Sequence, residues 1–151
     1  MAIQLPDRLS APSRMKLDVV ALAERDAGTD FKKAVHKILG KLDWQVLHSD
    51  VLVATYIRPR KTSGGIILPE KSVDEDRYQA KVGLVLKLGP AAFKYTRGAY
   101  AYEGPVPKVG DYVTFHTSDA REVGFRGVSL KYIVDELVRA IVPDEDVDSI
   151  Y

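Results

Sequence analysis

Few residues of this 151-residue chain have types and spacing suited to chemistry. The three histidines, His36, His48 and His116, lie in unrelated segments and belong to no hydrolase or zinc motif. Cysteine is absent, which excludes a thiolate nucleophile and a disulfide framework. No glycine-rich phosphate loop is present either. The sequence therefore predicts that the protein is not an enzyme and binds no cofactor.

Acidic residues close to the C-terminus have the D-x-D-x-D spacing of a calcium-binding loop. They are Asp144, Asp146 and Asp148. A calcium loop of this type also needs a central glycine and a closing glutamate, and both are missing. We therefore expect residues 144–151 to form a solvated, peripheral acidic tail without a metal.

Composition and charge restrict the class of partner. The chain has 22 basic and 21 acidic residues, a net charge of +1, which does not favour a nucleic-acid binder. No apolar run approaches the roughly 20 residues that cross a bilayer. The N-terminus lacks the basic start and apolar centre of a signal peptide. We expect a cytoplasmic protein that contacts neither nucleic acid nor membrane.

The most distinctive segment is RPRKTSGGIILPEKSVDEDRY, residues 58–78. It places three consecutive large aliphatic residues between a glycine pair and a proline, with charged residues on both sides. Such a triplet is either a strand that crosses the core or an exposed apolar anchor that binds a partner. The residues concerned are Gly64, Gly65, Ile66, Ile67, Leu68 and Pro69.

The N-terminal region, residues 1–45, is predicted to be an arm followed by an amphipathic helix. A short helix is predicted from Met15 to about Glu24. A longer one is predicted from an N-cap at Thr29 to about Leu42, because apolar residues recur there at helical spacing. Lysines occupy its other face, so the helix either packs on its own domain or contacts a partner.

From residue 46 onwards the apolar pattern changes from helical spacing to alternation. Strands are predicted at residues 46–57, 81–88, 112–116, 121–125, 128–134 and 137–142, with a projecting hairpin at 93–102. Many short strands separated by turns indicate a mainly β chain folded as a small β-barrel over residues 46–143. Alternation puts Leu47, Val51, Val53 and Ile57 on one strand face. It puts Val82, Leu84, Leu86 and Leu88 on another.

Three stretches in this order resemble the GroES-type co-chaperonins. They are DVLVATYIRPRKTSGGIILPEKSVDEDRYQAKVGLVLKLGPAAF, then KVGDYVTFH, then ELVRAIV. The glycine-glycine-aliphatic-leucine-proline centre and the KVGD turn carry the resemblance together. The N-terminal extension, the aromatic hairpin and the acidic tail are most similar to bacteriophage-encoded co-chaperonin-like proteins.

The resemblance implies a GroES-like barrel in a ring, usually of seven subunits, that caps a GroEL-type chaperonin and assists protein folding. Residues 64–69 would bind the chaperonin, and ATP would be bound by that partner. The hairpin at 93–102 would form the roof of the ring. Subunits would contact one another through segments 46–53 and 137–142, with these predicted contact residues: Val51, Val53, Leu137, Ala140, Ile141 and Val142.

A function of another class remains open at the level of sequence. The protein could be a bacteriophage virion component that uses the same barrel as a structural unit. Residues 1–45 would then bind capsid or tail proteins, and the protein would be located in the virion. Folds do not determine function, so the resemblance alone does not decide between these hypotheses.

Overall fold

The computed structural model describes residues 30–58, 81–94 and 102–150. Within them the chain is mainly β, with one α-helix and one antiparallel sheet of six strands in the order β4-β5-β1-β2-β3-β6. The predicted fold class, a small β-barrel preceded by a helix, is confirmed. The elements are α1 (Phe31–Leu39), β1 (Asp50–Thr55), β2 (Val82–Leu88), β3 (Tyr112–Phe115), β4 (Arg121–Phe125), β5 (Val128–Val134) and β6 (Val138–Val142).

Both faces of the sheet are buried, so the molecule has two apolar cores. The inner core lies on one face and includes Val51, Val53, Val85, Val113, Phe115 and Ile133. The helix-side core lies on the other face and includes Leu52, Ala54, Leu84, Tyr112 and Leu130 together with residues of α1. Strand β1 contributes alternate residues to both, which explains why it reads as an almost continuous apolar run.

Helix α1 lies on the sheet through one apolar face. Phe31, Val35 and Leu39 are buried in the helix-side core, four residues apart, as the helical period requires. The ring of Phe31 meets that of Tyr56 edge-on, with centroids 4.9 Å apart. Of the two interpretations of the amphipathic helix, the first is therefore confirmed: it packs on its own domain.

The ends of α1 differ from the predicted ones. The N-cap is Asp30, whose carboxylate accepts a hydrogen bond from the backbone N–H of Lys32 at 3.1 Å. Thr29, the predicted cap, lies outside the described residues. The helix ends at Leu39 rather than near Leu42 because Gly40 leaves the helical conformation, with a φ of 62° and a ψ of −140° that favour glycine.

Strand β1 is shorter than predicted. Leu47 and Ile57, which were predicted to share a strand face with Val51, lie outside the strand. His48 has a φ of 56°, and the N–H of Asp50 donates to the carbonyl of Leu47 at 3.3 Å. This turn breaks the alternation, so Leu47 is 60% exposed instead of sharing the face of Val51. Beyond the other end of the strand, Ile57 lies in the helix-side core.

Strand β2 contains an irregularity that the simple alternation does not predict. Its pairing with β1 shifts between Leu52 and Val53, because Leu52 faces Lys87 whereas Val53 faces Val85. Leu86 is thus the extra residue of a β-bulge. As a result, Leu88 packs against the inner core. The three residues predicted to share its face, Val82, Leu84 and Leu86, pack against the helix-side core.

The acidic tail is not peripheral, which corrects the prediction for that segment. It forms a 3₁₀ helix, Asp144–Ser149, whose Val147 is 3% exposed and belongs to the helix-side core. Lys32 of α1 donates to Asp144 at 2.8 Å, and the hydroxyl of Tyr56 donates to Asp148. The two segments that flank the strands therefore pack together on one face of the sheet.

Candidate partner-binding and subunit-contact surfaces

The predicted chaperonin-binding residues, 64–69, lie outside the described residues, but their place in the chain is defined by the strands on either side. Residues 56–81 connect β1 to β2, which are antiparallel neighbours. The N–H of Tyr56 donates to the carbonyl of Val82 at 3.0 Å, and Thr55 pairs with Gly83. Both ends of the connection therefore leave the sheet at one point, as in a hairpin with a very long loop.

Close to this connection, both edges of the two strands are paired, since Gly83 and Leu84 of β2 pair with β1 on one side and with β3 on the other. β1 lies between β5 and β2, and β2 lies between β1 and β3. In the described part of the chain, the open sheet edges are those of β4 and β6.

The base of the connection is closely packed. A Cβ atom added to Gly83 would lie 2.7 Å from Cγ2 of Val53 and 3.1 Å from a ring carbon of Phe115. Real Cβ atoms do not approach other carbons so closely, so glycine is needed here for close contact and not for a turn. A larger residue at this point would therefore displace Val53 in the inner core.

The KVGD turn lies directly before β3, at the predicted position. The carboxylate of Asp111 accepts a hydrogen bond from the N–H of Lys108 at 3.0 Å. Gly110, with φ of 98°, donates to the carbonyl of Val85 at 2.9 Å. The side chain of Asp111 thus closes the KVGD turn, and backbone hydrogen bonds connect the turn to β2.

Strand β6 presents a surface that could contact another subunit. It pairs with β3 along one edge, and Arg139, Ala140 and Ile141 are exposed. Ile141 is a large apolar side chain with 40% exposure. A cleft of about 600 Å³ runs beside this strand and is bordered on its far side by Phe93 and Tyr102. Of the predicted contact residues, Ala140 and Ile141 lie on this surface.

The other predicted contact residues are less exposed than Ala140 and Ile141. Leu137, directly before β6, and Val142, the last residue of β6, are half-buried. Val51 and Val53 are completely buried in the inner core, and both edges of β1 are paired within the chain. Their position argues against a direct role in subunit contact, although the assignment of the interface itself stays a prediction.

Leu47 is a candidate contact residue that the sequence pattern missed. Strand alternation assigned it to the buried face of β1, whereas the turn at His48 exposes 60% of its side chain. The signal that could have located it is the pair Ser49-Asp50, because serine and aspartate favour turns.

The described residues include all three histidines of the chain. Among the described residues, no group of three or more histidine, aspartate or glutamate side chains is placed to hold a metal ion. His36, His48 and His116 are exposed and lie on separate elements. Within the same ranges, no helix is long and apolar enough to cross a membrane.

One comparison with known proteins identifies the family. The model of the family described as the chaperonin 10 kDa subunit matches residues 43–142. The chain belongs to this family. The matched region contains all six strands and the β1–β2 connection, whereas α1 precedes it and the C-terminal 3₁₀ helix follows it. A search of curated proteins found no match.

Membership of the chaperonin 10 family establishes a general role. Proteins of this family are co-chaperonins that work with GroEL-type chaperonins as ring oligomers, and they are not enzymes. The resemblance to GroES-type proteins predicted from the sequence is confirmed at this level.

Proposed function

We propose that this protein forms a ring, of seven subunits as is usual in the family, and caps a GroEL-type chaperonin through residues 64–69. The observation that carries the proposal is the position of this segment within the family match. It lies in the long connection between two strands whose edges are both paired, which favours an exposed anchor over a core strand.

The energetics of such an anchor explain why a ring is required. Burial of Ile66, Ile67 and Leu68 would contribute at most about 1.5–3 kcal/mol each. Ordering of the surrounding backbone costs about 1–2 kcal/mol per residue, so one segment alone binds weakly. Several copies on one ring bind together through their high effective concentration. A nucleotide-driven change in the chaperonin could then release the cap, with ATP bound by the chaperonin.

The ring would be held together by the exposed edge of β6. We propose that this edge contacts the segment that precedes β1 in the neighbouring subunit. Ile141 and Leu47 supply exposed apolar side chains on the two surfaces. Burial of such side chains in each copy would favour a closed ring over separate subunits.

The test of the proposed anchor is the substitution Ile67→Asp in the full chain. A charged residue in the apolar contact should abolish capture of a chaperonin in a pull-down, while the native mass of the ring stays the same. The matched control is Val106→Asp, since Val106 is a 43% exposed valine that belongs neither to residues 64–69 nor to β6 and does not line the cleft beside β6. Unchanged capture by the Ile67→Asp protein would show that the segment does not bind the chaperonin.

A second measurement tests the dependence on nucleotide. The sedimentation of a GroEL-type chaperonin is measured with the protein added, with and without ATP. We expect a larger complex with ATP and none, or much less, without it. Equal amounts of complex with and without ATP would contradict a cap that is released by a nucleotide-driven change in the chaperonin.

The structure supports the alternative function, that of a virion structural protein, less than the sequence did. This alternative relied on residues 1–45 as an anchor, yet the apolar face of α1 is buried against the sheet of its own chain. A bacteriophage origin, the contacts of residues 1–29 and a cytoplasmic location stay predictions. Stoichiometric amounts of the protein in purified phage particles would favour the structural role.

A further inference from the structure

A groove of about 920 Å³ lies beside α1, and the family match does not explain it because α1 precedes the matched region. One wall is α1 with the segment that follows it, and the other wall is β2 with the KVGD turn. Large apolar side chains form its floor, and one of them, Val109, is 62% exposed. The floor residues are Leu39, Leu42, Trp44, Leu86 and Val109.

The rim of the groove is strongly basic. It carries five lysines and one carboxylate, that of Asp43. Lys32 pairs with Asp144, and Lys41 lies 3.7 Å from Asp43. The two ion pairs found among the described residues do not include the other three rim lysines, which are Lys33, Lys37 and Lys87. An apolar floor with unpaired cations on its rim fits a segment that is apolar on one face and carries acidic residues beside it.

A segment with these properties directly precedes α1. Residues 15–26, MKLDVVALAERD, contain apolar residues at helical spacing, such as Leu17, Val20 and Ala21. They also contain three acidic residues, Asp18, Glu24 and Asp26. Twelve residues of α-helix extend for about 18 Å, enough to cover the roughly 14 Å of the nine-residue α1.

The connection to α1 has a suitable length as well. Three residues, 27–29, separate this segment from the N-cap Asp30, and Gly28 is among them. Antiparallel helix pairs are commonly joined by about 2–5 residues. The short link also keeps the segment at an effective concentration near the millimolar range, so weak contacts are enough to hold it.

We propose that residues 15–26 bind this groove as an amphipathic helix antiparallel to α1, with acidic side chains facing Lys33 and Lys37. The segment covers the floor residues and pairs the unpaired rim lysines. It extends the helical layer on this face of the sheet from one helix to two.

The chain contains one tryptophan, Trp44, and it lies in the groove, so its fluorescence reports directly on occupancy. In the full chain we expect Trp44 to be shielded from acrylamide. The substitution Val20→Asp should increase the quenching and move the emission to longer wavelength. The matched control, Leu5→Asp, lies outside the segment and should change neither.

Limited trypsin digestion provides an independent measurement, since the segment contains Lys16 and Arg25. On the groove side, Val109→Asp should accelerate cleavage at these two sites about tenfold, the change that about 1.4 kcal/mol of lost binding gives. Val106→Asp, another exposed valine outside the groove, should not. Both substitutions are on the surface, and circular dichroism checks that the variants are folded.

Three results would overturn the proposal. In the first, Trp44 of the wild-type chain is as accessible to acrylamide as in the Val20→Asp variant. In the second, Val109→Asp leaves cleavage at Lys16 and Arg25 unchanged. In the third, shielding of Trp44 decreases on dilution, which would assign the groove to a second copy of the chain. None of these measurements involves a chaperonin, so their outcome is independent of the proposed function.

Discussion

At the scale of single residues, one buried chain of hydrogen bonds ties three strands together. The hydroxyl of Ser129 on β5 donates to the carboxylate of Glu122 on β4 at 2.7 Å. It also lies 3.2 Å from the hydroxyl of Thr55 on β1, and both hydroxyls are buried. Since Ser129 has a single hydroxyl hydrogen, Thr55 is the donor in this second bond. These two bonds satisfy polar groups that burial would otherwise make costly.

We predict that Ser129→Ala lowers the free energy of unfolding by about 1–3 kcal/mol, because it leaves the Thr55 hydroxyl without its partner. Thr55→Val alone should cost less, since Ser129 keeps its bond to Glu122. In denaturant titrations the double variant should lose less than the sum of the single losses. Additive losses would mean that the two hydroxyls are not coupled.

At the scale of elements, the two described segments outside the family match, α1 and the C-terminal 3₁₀ helix, pack on the sheet. Helix α1 and the C-terminal 3₁₀ helix cover the same sheet face, and Val147 from the latter reaches the helix-side core. The ion pair between Lys32 and Asp144 is at the surface and contributes little, about 0–1 kcal/mol. Apolar burial therefore supplies most of the stabilisation in this contact.

We predict that Val147→Ala lowers the free energy of unfolding by about 1–2.5 kcal/mol, because it removes two buried methyl groups and leaves a cavity. The control Val106→Ala, at an exposed position, should stay within about 0.5 kcal/mol of the wild type. Both are measured by urea unfolding at one protein concentration. Equal stability of the two variants would mean that the tail does not pack on the sheet.

The elements also show what the sequence could and could not predict. The bounds of β4 and β5 were predicted correctly because the Arg126-Gly127 turn separates two clean apolar patterns. The bulge at Leu86 and the turn at His48 were missed, since both depend on how neighbouring strands align. The tail was mistaken for a peripheral segment because its single buried residue, Val147, lies among four acidic ones.

At the scale of the whole molecule, chaperonin binding by residues 64–69 is expected to require several subunits that bind together. The types of these residues indicated an anchor, and their place between β1 and β2 agrees with that interpretation. The sequence was less informative about subunit contact, because apolar residues of a buried strand and of an edge strand look alike. The pairing of both edges of β1 distinguishes Val51 and Val53 from Ile141.

We predict that Ile141→Glu converts the proposed ring to smaller species, because a charge would be buried at the proposed contact. Native mass spectrometry measures this directly, with Val106→Glu as the control. Capture of a chaperonin should also be lost, although residues 64–69 are unchanged, since single subunits lose the multivalent contact. A variant that stays assembled would exclude this strand edge from the interface.

The meeting of α1 with the C-terminal 3₁₀ helix also has a consequence for synthesis on the ribosome. Lys32 and Asp144 are 112 positions apart in the chain, yet they are in contact in the folded protein. Because the chain emerges from its N-terminal end, α1 leaves the exit tunnel long before Val147 does. The helix-side core can be completed only after Val147 has emerged, so we expect the part of the sheet face that Val147 covers to stay exposed in the nascent chain until then.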